Sequence, residues 1–188
     1  MPDQSTVEQQ TRLWVENIVA GLNLCPFVKP VLLADSLRIA VTDACTIENQ
    51  LECVASELIL LQEKTEQQLA TTLLVFQEGL KDFYAYLDFV DQANQLLDLQ
   101  DLRGEIQIAS FHPDYLFADE KAEALSHYTN RSPWPTLHFI REAQLSRVLA
   151  NYPDPEKIPE NNIKRLDDMG HDAVEAVFSS IKTITSQS

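Results

Sequence analysis

Apolar residues recur along this chain in two periods, and the switching between them predicts the elements. Val7, Thr11, Trp14, Ile18 and Leu22 follow at spacings of four, three, four and four, which puts them on one face of an N-terminal helix; Gly21 and Asn23 supply its end. "CPFVKPV" then runs extended between two prolines, because a residue before proline is pushed out of helical angles. "SLRIAVTDA" has the β-branched and aliphatic content of a strand, and Thr46 is placed to cap a helix with Leu51, Val54, Leu58 and Leu61 on one stripe. "TTLLVFQ" is a nearly continuous apolar run, as in strands covered on both faces. Asp82 opens a third helix with Phe83, Leu87, Val90, Ala93 and Leu97 inward, and Gly104 closes that region before "EIQIASF".

Strand, helix, strand, helix, strand predicts right-handed parallel crossovers. The expected fold is α/β: a mostly parallel sheet of three to four strands flanked by helices, with a long polar loop after the third strand and a helical C-terminus. The chain reads as a single domain over residues 1–188, with an N-terminal helix in 1–24, an α/β core in 36–150 and a C-terminal helical segment in 156–184. "TLHFIRE" fits a strand, which sends His138 and Arg141 to opposite faces, or the first turns of a helix from Pro135, which puts them on one. We prefer the strand, followed by a helix near "AQLSRVLA". Prolines mark "YPDPEKIP" as a connector, and Ile163, Leu166, Ala173, Val174, Val177 and Ile181 predict helix beyond it, broken at Gly170.

Charge narrows the partners. With 29 acidic against 14 basic residues the net charge is −15, a field that repels nucleic-acid backbones and anionic lipid surfaces. No apolar run approaches the roughly 18 residues that span a bilayer. The first residues lack a basic start and an apolar core, and three cysteines without a CxxC pair fit a reducing compartment, so a cytoplasmic location is the expectation. A local exception to the acidity lies between His127 and Arg147, where Arg131, Arg141 and Arg147 face Glu142 alone. Such an island suits a small anion, or solvated arginines that balance neighbouring acids.

Candidate chemistry concentrates after the third strand. "IASFHPDYLF" begins as a strand, and Pro113 stops the pairing, so His112 and Asp114 fall at a strand's carboxyl end, where open parallel sheets bind ligands. The alternative is a structural turn. "NRSPWP" offers Asn130, Arg131 and Ser132 as donors on a stiff segment, with Trp134 available to stack or to pack. Cys25 follows a helix C-terminus, whose dipole raises a thiol's pKa, so it needs a nearby cation to act as a nucleophile and otherwise packs as a small apolar group; Cys45 and Cys53 read as packing. His112 and Asp114 with His127 or His138 also give the order HxD…H of facial metal sites, a short pattern without further support.

"GLNLCPF", "IASFHPDYLF", "NRSPWPTLHFIRE" and "IPENNIKRL", in this order, resemble the marker segments of a family of bacterial and plant proteins, the domain of unknown function 1415 family; the resemblance runs from Trp14 to about Gly170. Val28 stands where the family usually has alanine, and Trp134 where it usually has tyrosine. The resemblance implies a shared fold and a set of signature positions without a reaction. It groups Cys25, His112, Asp114, Asn130, Arg131, Ser132, His138, Arg141 and Glu142 as candidates for one site.

The resulting expectation is a small-molecule enzyme, with His112 as acid/base, Asp114 orienting it, Cys25 as a possible nucleophile, and Asn130, Arg131, Ser132, His138, Arg141 and Glu142 binding an anionic substrate. A non-catalytic binding module for an anionic metabolite or acidic peptide is the rival, an HxD…H metal site through His112, Asp114 and His138 a further one, and a purely architectural role for the polar motifs the last. No cofactor follows from the sequence.

Overall fold

The computed structural model describes residues 2–183. Four strands form one sheet: β1 (Leu37–Thr42), β2 (Thr71–Phe76), β3 (Ile106–Phe111) and β4 (Thr136–Arg141), in the order β1-β2-β4-β3. β1 and β2 pair in parallel, whereas β4 is antiparallel to both β2 and β3. The expectation of a mostly parallel sheet is therefore corrected. β1, β2 and β3 share one direction, but β4 is intercalated between β2 and β3 and runs against both. The reason lies in the connection from β3 to β4, residues 112–135, which holds only a short 3-10 turn, Leu125–Thr129, and no helix able to cross the sheet. A parallel neighbour needs such a crossover; a chain that returns at the end it left from makes an antiparallel one.

Among the described residues seven α-helices accompany the sheet: α1 (Gln4–Trp14), α2 (Val28–Leu33), α3 (Ile47–Glu63), α4 (Phe83–Leu99), α5 (Glu142–Ala150), α6 (Ile158–Met169) and α7 (His171–Lys182). α2 corrects the extended run expected of "CPFVKPV": Pro30 falls in the first turn of a short helix, where its missing N–H costs nothing. The caps are those the sequence announces: Thr46 accepts the Asn49 N–H and Asp82 the Ala85 N–H. Gly170, at φ +78°, separates α6 from α7. The expected end of the helical segment, residue 184, lies outside the described residues.

Alternation along the strands divides the core in two. Leu74, Phe76, Leu137 and Phe139 face α3 and α4, where Leu58, Tyr86 and Phe89 are fully buried. On the other face Ile39, Leu73 and Val75 meet Val7, Trp14 and Ile18 of the N-terminal helix and Ile181 of α7. That N-terminal helix is irregular: after Trp14 it widens into a π-helical stretch, Val15–Ala20, with i-to-i−5 bonds from Gly21 to Glu16 and from Leu24 to Val19. Gly21 is required there, because a Cβ would stand 2.1 Å from the Asn17 carbonyl oxygen. No described helix is long and apolar enough to cross a membrane.

Candidate functional site

The polar residues of the sequence motifs separate onto different faces of the sheet. His112 follows β3 directly and turns toward the α4 side, where its ring packs against Phe83 and Tyr86. It is fully buried, Nδ1 accepts the Asp114 N–H at 3.0 Å, and Nε2 donates to the Leu80 carbonyl at 3.0 Å. Burial lowers its pKa, with the Leu80 bond and the charge of Asp114 in partial opposition. Asp114 itself is exposed. Both ring nitrogens of His112 are thus engaged by backbone. His127 repeats the pattern: Nδ1 accepts the Phe117 N–H at 3.1 Å and Nε2 donates to the Lys121 carbonyl at 2.8 Å.

The arginines are engaged in the same way. Arg141 stands at the opposite end of the sheet from His112, paired across β3 with Ile106, and donates to the carbonyls of Leu61, Lys64 and Leu69, tying down the C-terminus of α3. Arg131 stacks over the Tyr128 ring with Cζ 4.3 Å from its centroid, and Arg147 pairs with Glu66. Ser132 donates to the Trp134 carbonyl at 2.6 Å, and Trp134 donates through Nε1 to Gln10 at 2.9 Å. Glu142 opens α5, and its N–H donates to the Glu105 carbonyl. These contacts tie the loop and strand ends together.

A different grouping emerges on the face that carries the N-terminal helix. Cys25, Asn130 and Phe111 line a cleft of about 600 Å³ between the outer edge of β3, the loop through Ser126 and Tyr128, and the start of α6 at Ile158 and Asn162. Asn130 is fixed by an Nδ2 bond to the Ser110 carbonyl at 3.1 Å. Ser126 is 5% exposed, and its hydroxyl has no partner among the described residues, an arrangement that carries a cost unless something else supplies the bond. Among the described residues no lysine or arginine lines this cleft, and the exposed Asp119 and Glu120 contribute to its lining.

Behind the cleft lies a smaller cavity of about 70 Å³ that shares Trp14, Val19, Cys25 and Phe111 with it and ends on Thr71 and His138. His138 reaches it because β4 alternates: Leu137 and Phe139 enter the α3/α4 core, while His138 pairs with Leu73 and Ala109 and shares their face. Burial alone holds the His138 pKa down at about 4, so the ring is neutral at ordinary pH. Burial also raises the Cys25 thiol above its ordinary value, opposed by the backbone N–H groups of Phe27 and Val28. Of the sequence candidates, Cys25, His138 and Asn130 therefore share one continuous region; His112 and Arg141 lie elsewhere. Among the described residues no three His, Cys, Asp or Glu side chains are placed to hold a metal. Thr71, Phe111, Ser126 and Tyr128 were not marked by sequence reasoning; the one available signal was a polar threonine opening the otherwise apolar "TTLLVFQ".

A family model described as "Protein of unknown function (DUF1415)" matches residues 6–176 of this chain. No curated protein and no solved structure matches it.

Proposed function

For a chain that belongs to the DUF1415 family, we propose a small-molecule-binding role, with the ligand in the cleft between β3, the 117–130 loop and α6. The observation that carries this reading is an open cleft of about 600 Å³ walled by side chains from β3, the 117–130 loop and α6. Small-molecule sites fall at roughly 300–1,000 Å³, with mainly apolar walls and a few convergent polar groups. Phe111, Tyr128 and Ile158 supply the apolar wall here, and Thr129, Asn130 and Asn162 the polar residues. The acidic lining residues and the absence of a lining cation among the described residues favour a neutral ligand over the anionic one expected from the arginines.

A fragment screen read by amide chemical shifts tests this directly. Hits that move the amides of Ala109, Phe111, Tyr128 and Ile158, and that are lost when Ala109→Trp fills the cleft, support it. Hits that map only to other surfaces overturn it.

A second reading makes Cys25 a nucleophile with His138 as its base, favoured by their sharing the inner cavity. It ranks below binding because burial opposes both charges of a thiolate–imidazolium pair.

A further inference from the structure

Of the four histidines, His112 and His127 are fully buried, with each ring nitrogen occupied by a backbone group. His138 is different. The hydroxyl of Thr71 lies 2.6 Å from the Phe139 carbonyl and 2.7 Å from His138 Nε2. A carbonyl only accepts, so the single hydroxyl proton is directed to it, and the Thr71 oxygen must accept from the ring. The His138 proton therefore sits on Nε2, and Nδ1 is a bare lone pair. No described residue donates to it, on a ring that lines the inner cavity.

From this the geometry points to the inner cavity as a ligand subsite in which His138 Nδ1 accepts a hydrogen bond from a neutral donor, a hydroxyl or N–H carried on an apolar stem reaching in from the outer cleft. The inference rests on the binding role of that cleft and adds the chemical class of the group that enters. Trp14, Val19, Cys25 and Phe111 line both spaces, so a chain seated in the cleft has only these side chains to pass. Besides carbon, the residues lining the cavity carry the Trp14 indole N–H, the Cys25 thiol and the Thr71 oxygen, whose own proton is committed. An ordered water needs roughly two to four polar partners and is poorly served here. A carboxylate brings a second set of lone pairs to an acceptor in apolar surroundings, and a purely apolar end leaves Nδ1 unpaired. Only a donor satisfies the site. Thr71 is a positioning residue in this scheme, since it acts by fixing the tautomer.

The test uses three probes with the same stem: 1-pentanol, its isomer butyl methyl ether, which lacks a donor, and the anion pentanoate. Titrations of the full chain followed by amide shifts should give 1-pentanol at least about tenfold tighter than the ether, the usual penalty for leaving a buried polar group unpaired. Pentanoate should be weaker still. The ¹⁵N resonance of His138 should report the Nε2–H tautomer in the free protein, and its Nδ1 signal should move upfield with 1-pentanol alone. In the double variant Thr71→Val, His138→Phe, which keeps side chains of similar shape and leaves no side-chain nitrogen or oxygen acceptor there, alcohol and ether should bind alike. Equal affinities in the wild type, tightest binding of pentanoate, or a free ring protonated on Nδ1 each overturn the subsite and leave the cleft standing. Failure of all three probes to move the Ala109, Phe111 and Tyr128 amides overturns the cleft with it.

Discussion

His112 holds Leu80: its Nε2–H donates to the Leu80 carbonyl at 3.0 Å, and Leu80 sits in the left-handed region at φ +49°. A leucine in that conformation is strained by roughly 1–2 kcal/mol and needs its surroundings to keep it there. The same ring accepts the Asp114 N–H, so one side chain joins the loop after β2 to the start of the 112–135 connection.

Replacing His112 with Asn removes the reach to Leu80 while leaving a short polar group near Asp114. The expected cost is about 2 kcal/mol, the loss of one bond plus an unsatisfied buried carbonyl. For a chain of this size that lowers Tm by roughly 4–8 °C. Differential scanning calorimetry checks it, and an unchanged Tm would show that the bond does not hold the loop. Probe binding in the cleft should survive the change.

Acid should weaken the fold through His138. Its folded pKa, about 4, lies below the ordinary value of 6.5, so between those limits the unfolded chain binds more protons. Stability is then fully present above pH 6.5 and falls as pH drops toward 4, by on the order of 3 kcal/mol at the low end. His112, also lowered by burial, adds in the same direction. Urea unfolding between neutral and acid pH measures the slope; in His138→Gln it should be visibly shallower.

Thiol accessibility should order the cysteines. Cys45 is exposed, and Cys25, whose thiol burial pushes up, lines the inner cavity. Iodoacetamide at neutral pH followed by mass spectrometry should label Cys45 first and Cys25 last. Preferential labelling of Cys25 would instead promote the reading in which it is a nucleophile.

Tyr86 fastens the ends of β3 and β4. It is fully buried, its hydroxyl donates to the Thr136 carbonyl at 2.7 Å, and it accepts the Phe111 N–H at 3.0 Å. Tyr86→Phe leaves both backbone groups unpaired, for an expected loss of about 1–3 kcal/mol in chemical unfolding. Because Phe111 is a wall of both cavities, probe affinity should fall with it.

Arg141 should prove structural. Three carbonyls at and after the end of α3 converge on its guanidinium. Arg141→Met should destabilise by about 1–3 kcal/mol and leave affinity for 1-pentanol unchanged. Weaker probe binding at equal stability would return this arginine to the site.

Much of the fold was legible because its signals are local. The stripe from Leu51 to Leu61, the Thr46 and Asp82 caps and the Gly170 break all act within a few residues, and each is found where the pattern put it. The place of β4 was not local. Its antiparallel run follows from the absence of a crossover helix between Phe111 and Thr136, a gap in the pattern rather than a motif. The candidate site was legible only in part for a related reason. His112, Arg131 and Arg141 are polar residues in apolar context, which marks a buried network as readily as a ligand site. What distinguishes His138 is the alternation of β4 combined with one proton on Thr71, and that depends on which strand lies beside it.

The widened turn at Val15–Ala20 shapes the ligand space itself. In a regular α-helix each residue advances about 100°, so Val19 would point well away from Trp14. The extra residue in the turn absorbs that rotation and sets the two side chains along the same two cavities. Winding these same residues as a regular α-helix would swing Val19 off that wall, whereas removing one residue between Trp14 and Val19 would leave the two on one face, four positions apart. The hollow beside His138 is thus a property of helical phase, matched to the residue count of a wide turn remote in sequence from β4.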